Sequence, residues 1–174
     1  VLIMLAAAGA MVMVSAANLI LLFLGFEMLS VSVYVLAALA RKEKAYAEAA
    51  MKYFIRGAFS SAFLLYGMAL VFGATGSMQI MEIAQNLDPT NLMLVMGLGL
   101  IIFGFGVKVS LVPFHFWTPD VYQGAPTSIT GFMAVVVKAA AFGTFLRIMH
   151  TSFASIPEVW TGMLWILAVL SMCY

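Results

Sequence analysis

Cysteine is nearly absent from this sequence. Cys173 is the only one among 174 residues, so no disulfide can form within the chain, and it has no Cys or His neighbour at metal-ligand spacing. Charge is scarce as well: Asp, Glu, Lys and Arg make up 9% of the residues and sum to a net +1, so nothing here suggests nucleic acid as a partner. No Gly-rich phosphate loop, nucleophile elbow or Cys/His cluster is present, so chemistry on a cofactor held by this chain is not expected. What the sequence has in abundance is apolar residues, 65% of the total. At roughly 20 to 25 residues per span this length has room for about six membrane helices. The expected fold is an all-α polytopic membrane protein. The start of the sequence carries no basic n-region and no cleavage pattern, so it reads as part of a membrane helix and not as a signal peptide. Since Tyr174 falls inside an apolar stretch, the chain is expected to be a fragment of a longer polypeptide.

The first apolar run covers residues 1–15, and Asn18 marks a turn. A second span is expected over residues 19–40 and a third over 46–74, closed by Gly73, Gly76 and Ser77. Residues 76–91 form the longest polar stretch, a loop with a short amphipathic turn at Met78–Ala84. A fourth span, residues 91–122, would be about 48 Å long as one helix, more than the roughly 30 Å of a hydrocarbon core, so it must tilt steeply or break. Pro113 favours a break, because its ring clashes with the Val109 carbonyl and it has no N–H to donate. The fifth span covers residues 127–150, and Pro157 and Glu158 open a sixth. Arg41, Lys42, Lys44, Lys52 and Arg56, five of the eight basic residues, gather around the connection between spans two and three, which the positive-inside rule makes cytoplasmic. The 76–91 loop, with Glu82 and Asp88 and no base, belongs on the opposite side, and the 118–126 connection returns to the cytoplasmic side. Five spans reverse the chain direction, so a tandem copy of such a unit would be inverted.

Three charges interrupt these runs: Glu27, Lys108 and Lys138. At the bilayer centre each costs roughly 2.5 to 3.5 kcal/mol on insertion scales, and such residues mark ion or proton pathways by default. Burial penalises the charged form of both groups and an opposite charge nearby restores it, so a movable Glu/Lys pair can take up or release a proton as it closes or opens. The competing reading is a fixed ion pair that only joins two helices. Ser30 and Tyr34 share the helical stripe of Glu27, which should therefore face protein. Gly97 and Gly104 share the stripe of Lys108 and would admit a close helix neighbour, while Thr127, Gly131, Ala134 and Ala141 give Lys138 a similarly small stripe. His115, just past Lys108, is either a proton relay or a polar residue beside the break. Arg147, His150 and Lys44 sit at span ends as interfacial anchors, and Arg56 is deep enough to touch a water-filled mouth.

The tract from Gly104 to Thr127, with Lys108-x-Ser110-x-x-Pro113-x-His115-x-Trp117-x-Pro119-Asp120 at its core and Val121-Tyr122-Gln123-Gly124 after it, resembles the antiporter-like membrane subunits of respiratory complex I, the NADH-quinone oxidoreductase. The tract from Lys52 to Gly67 and the Glu27 span agree with it, so the resemblance covers nearly the whole chain; Arg56 departs from it, standing where the family has an apolar residue. The resemblance implies a fold of about fourteen helices with two inverted five-helix repeats, each holding a broken helix. Residues 1–150 would be the first repeat and 151–174 the start of the second. It implies that Glu27 modulates charge, Lys108 accepts a proton and Lys138 passes it on, with quinone reduction driving the pumping. It implies no cofactor in this chain, with quinone, NADH, FMN and iron–sulfur clusters in other subunits, and as partners the other membrane subunits and the lipid of a bacterial-type inner (plasma) membrane. A subunit of a multisubunit cation/proton antiporter, and a structural subunit that moves nothing, are the alternatives.

Overall fold

The structure, a computed structural model, describes residues 1–39 and 44–174. Arg41, Lys42 and the Lys44 side chain, on which the expected orientation partly rests, lie outside the described residues. The chain is an all-α polytopic membrane protein. Among the described residues, four helical stretches are long and apolar enough to cross a membrane, at Leu19–Ala38, Ala50–Thr75, Leu92–Val109 and Thr127–Thr151. Leu2–Ser15 and Pro157–Cys173 are shorter apolar helices.

Helices α1 (Leu2–Ser15) and α2 (Leu19–Ala38) form an antiparallel hairpin. Its turn is set by Asn18, whose Oδ1 accepts from the Leu21 N–H at 2.7 Å, the side-chain cap that a helix N-terminus needs. The two helices approach almost backbone to backbone: a Cβ added to Gly25 would lie 2.5 Å from the Met13 nitrogen, and one on Gly9 would lie 2.6 Å from the Leu29 nitrogen. Helix α3 (Lys44–Thr75) ends at Gly76, whose left-handed φ of 74° suits a residue without Cβ and whose N–H reaches the Phe72 carbonyl at 2.7 Å. The expected amphipathic turn is present as the short α4 (Ile80–Ile83). Backbone bonds from Leu19 to Met78 and from Ile80 to Ala17 hold it against the α1–α2 turn.

Helix α5 (Leu92–Val109), capped by Asn91, packs along α3. As the stripe of Gly97 and Gly104 predicts, these glycines are the contact: a Cβ on Gly97 would lie 2.9 Å from the Gly67 carbonyl, and one on Gly104 would lie 2.7 Å from Leu64 Cβ. The fourth span is broken at the residue whose carbonyl the Pro113 ring would meet in a continued helix. The helix ends at Val109 because Ser110 adopts the left-handed conformation (φ 66°, ψ 42°), three residues before Pro113. Nor are the carbonyls of that last turn left free. Leu111 N–H and Ser110 N–H take Gly106 and Val107, the Trp117 indole N–H also donates to Val107 at 2.9 Å, and Ser60 Oγ donates to Gly104 at 3.1 Å. Pro113 lies within the turns between this helix and α6 (Thr118–Gly124).

Helix α7 (Thr127–Phe132), a π-helical turn at Met133–Val137 and α8 (Lys138–Thr151) run on as one rod. The wider π turn rotates α8 relative to α7, so the small-residue stripe expected beneath Lys138 does not stay on one face. Thr127, Gly131 and Ala134 are exposed, whereas Ala141 is buried. Helix α9 (Pro157–Cys173) returns toward the break, where Ser171 Oγ accepts from the Val112 N–H at 3.1 Å. Arg147, expected as an interfacial anchor, instead donates to the Val14 and Ala16 carbonyls at the end of α1. Gly25→Val should force α1 from α2 and destabilise the fold by about 1 to 3 kcal/mol, read as lower yield and a lower unfolding midpoint of detergent-solubilised protein.

Candidate functional site

Lys108 lies in the last turn of α5, where the helix dipole favours a cation, and it is only 5% exposed. Its Nζ donates to Ser30 Oγ on α2 at 2.7 Å, and Ser30 in turn donates to the Phe26 carbonyl at 2.5 Å. The serine hydrogen is thus occupied and an oxygen lone pair is presented to the amine. Three rings surround the same nitrogen, with centroids at 4.9 Å for Phe26, 5.7 Å for Tyr34 and 5.8 Å for Tyr53. Each lies within cation–π range. Tyr34 reaches this place because Gly57 on α3 has no side chain: a Cβ there would collide with the phenol. Tyr53 stands edge-on to Tyr34 at 4.7 Å and stacks on Trp117 at 4.8 Å.

The stripe of Glu27, Ser30 and Tyr34 faces protein as expected, with Ser30 and Tyr34 buried and Glu27 partly buried. Glu27 and Lys108 are not in contact. Among the described residues the ion pairs within 4.0 Å are Lys52–Glu48 (2.8 Å), Lys52–Asp120 (3.1 Å) and Arg56–Asp120 (4.0 Å). Glu27 Oε1 is buried and makes no hydrogen bond to the protein. The fixed Glu27–Lys108 pair considered from the sequence is therefore not what holds α2 to α5.

A small cavity beside the amine is lined by Lys108, Tyr34, Tyr53, Ser60, Trp117 and Arg56. The Arg56 guanidinium lies over the Phe116 ring at 5.2 Å and donates to the Phe116 carbonyl at 3.4 Å. Lys52 and Asp120 tie the start of α3 to α6 beside it. The meeting of Lys52 with Asp120 puts the start of α3 and the 118–126 connection at the same end of the bundle, as counting spans predicts.

Lys138 is partly buried at the first position of α8, directly after the π turn, with Nζ 5.6 Å from the Tyr122 ring. His115 lies in the turns between α5 and α6, its ring 4.2 Å from that of Tyr174 and its Nδ1 buried without a partner; it is not among the residues lining the Lys108 cavity. Among the described residues no group of three or more His, Cys, Asp or Glu is arranged to hold a metal ion. Ser30 and the aromatic wall are not evident from the sequence as partners of Lys108. Ser30 is visible there only as a polar residue one turn from Glu27, Tyr53 carries no pattern that links it to Lys108, and Trp117 shares the Lys108–Asp120 motif without its place beside Tyr53 being evident.

This chain is similar to a set of characterised proteins over most of its length. Residues 16–174 match the transmembrane family described as NADH:quinone oxidoreductase/Mrp antiporter. NADH-quinone oxidoreductase subunit N of Trichlorobacter lovleyi is 47% identical over 168 residues, covering 94% of this chain and 34% of that protein. The chain thus spans about a third of the length of the curated relatives it matches. In respiratory complex I from Thermus thermophilus, solved with bound aureothin, one chain superposes with a TM-score of 0.76 at 44% identity, over 84% of this chain and 33% of that one. A chain of the Mrp complex from Dietzia sp. superposes with a TM-score of 0.80 over 88% of this chain and 29% of that one, but at 23% identity this shows a shared fold alone. With the match running from Ala16 to Tyr174 through the broken helix and both lysines, the chain belongs to the NADH:quinone oxidoreductase/Mrp antiporter family of transmembrane proteins.

Proposed function

We propose that this chain is part of a proton-translocating membrane subunit of an NADH-quinone oxidoreductase, the counterpart of subunit N, in which quinone reduction elsewhere in the complex drives protons past Lys108. The carrying observation is the Lys108 amine itself, buried and bound to the neutral Ser30 and three rings instead of to a carboxylate. A lysine neutralised by a salt bridge would hold its proton. One held by a hydroxyl and ring faces can give its proton up and take another.

In this reading a proton arrives from the cytoplasmic side through the cavity below Arg56, Lys108 receives it, Glu27 tunes the affinity of Lys108 through its field, and Lys138 passes the proton onward. His115 offers a second titratable group on the α9 side of the break. Residues 1–150 would form the first five-helix repeat and 151–174 the start of the second. Quinone, NADH, FMN and the iron–sulfur clusters would lie in other subunits, and the partners would be the remaining membrane subunits of the complex. The protein is an integral, multi-pass protein of the bacterial plasma membrane, where one charge moved across 100 mV is worth about 2.3 kcal/mol. Favouring this reading over a subunit of a multisubunit cation/proton antiporter is the 47% identity to a subunit N.

Lys108→Ala in the assembled complex is expected to abolish NADH-driven proton uptake into vesicles; unchanged uptake would overturn the assignment. Ser30→Ala removes the hydrogen bond from the amine to Ser30, a bond to a charged group being worth about 1.5 to 3 kcal/mol, so translocation should fall by roughly tenfold or more. Ser30→Thr, which keeps the hydroxyl, should retain most of it.

A further inference from the structure

The two lysines are joined by a continuous file of aromatic residues. Lys108 Nζ faces the Tyr53 ring at 5.8 Å, Tyr53 stacks on Trp117 at 4.8 Å and 15°, Trp117 meets Tyr122 edge-on at 6.2 Å, and Tyr122 faces Lys138 Nζ at 5.6 Å. These residues come from three separate places, α3, the turns after the break, and α6. Two further facts distinguish the file from ordinary packing. Both phenol oxygens, Tyr53 Oη and Tyr122 Oη, are buried and make no hydrogen bond to the protein, although a buried hydroxyl ordinarily finds a partner. Trp117, between them, has its only polar hydrogen committed to the Val107 carbonyl at 2.9 Å, so it fixes the spacing of its neighbours and carries nothing itself.

We infer that the Tyr53 and Tyr122 hydroxyls are the proton relay between Lys108 and Lys138, with Trp117 as the spacer that holds them in line. The inference rests on the proposed roles of the two lysines and deepens them. A phenol serves here because it is donor and acceptor at one atom. As the Lys108 ammonium gives its proton to a bridging water and becomes a neutral amine, that water passes one proton to a lone pair of Tyr53 Oη while the phenol's own proton leaves. Water carries the proton across the gap to Tyr122, which repeats the exchange, and the Lys138 amine takes the last proton to become an ammonium. One proton enters and one leaves, each O–H bond broken is replaced, neither phenol retains a charge, and no electron moves.

The test replaces each tyrosine in the assembled complex and reads NADH-driven proton uptake into reconstituted vesicles beside quinone reduction and complex assembly. Tyr53→Phe and Tyr122→Phe keep the ring against Trp117 and the lysine and remove only the hydroxyl. Each should lower proton uptake by about tenfold or more, in keeping with the loss of a positioned acid–base group, while assembly is unchanged. Tyr122→His, which restores an atom able to accept and donate, should recover part of that loss, whereas Tyr122→Leu should not. A purely structural role would spare the Phe variants and would not be rescued by His. Lys108→Ala is run in parallel. If it abolishes uptake while both Phe variants behave as wild type, the relay is overturned and the lysine reading stands. If Lys108→Ala itself leaves uptake intact, the lysine reading fails and the relay with it.

Discussion

Everything around the break in this fold serves the burial of one amine. Placing a charge within the hydrocarbon core costs up to about 3.5 kcal/mol. The bond from Lys108 to Ser30, at about 1.5 to 3 kcal/mol, with a nearby ring face at about 0.5 to 2, is of the same size. Cost and compensation nearly cancel, so neither the ammonium nor the amine is locked in. A carboxylate in direct contact would tip that balance, and Glu27 stands outside contact distance.

The backbone is irregular where the lysines are. Helix α5 stops at a left-handed Ser110 one residue after Val109, which leaves Lys108 in a terminal turn facing α2 and α3. Its carbonyls are met by Ser110, Leu111, Trp117 and Ser60, so the interruption carries little penalty from unpaired groups. Lys138 comes directly after a π turn, a feature found often at functional positions because it re-aims the next side chain. Close glycine contacts between α1 and α2 and between α3 and α5 hold the surrounding helices still, and rings from α2 and α3 fill the space left beside the amine.

Much of this is legible in the order of residues. Glu27, Lys108 and Lys138 stand out because charge in an apolar run is expensive, and the length of residues 91–122 alone demands a break. The helix neighbours of Gly97 and Gly104 can be inferred from spacing on a regular helix. Where regularity fails, so does the inference. Pro113 points to the broken span, but the stop is made by a serine in a conformation no side-chain pattern announces. The stripe drawn under Lys138 assumes a constant 3.6-residue turn and is lost at Met133–Val137. Arg147 looks like an anchor at a membrane surface because its partners, two carbonyls of α1, are distant in sequence. The enclosure of Lys108 by Phe26, Tyr34 and Tyr53 is tertiary in the same sense, since it joins two helices at a third.

The most direct test observes the Lys108 nitrogen itself. In the assembled complex with isotope-labelled lysine side chains, solid-state NMR distinguishes an amine from an ammonium nitrogen, and the Lys108 signal is identified by its loss in the Lys108→Ala variant. The account predicts that this nitrogen is found as ammonium in one trapped state of the complex, oxidised or reduced, and as amine in the other. A Lys108 nitrogen that remains ammonium in both states would contradict it.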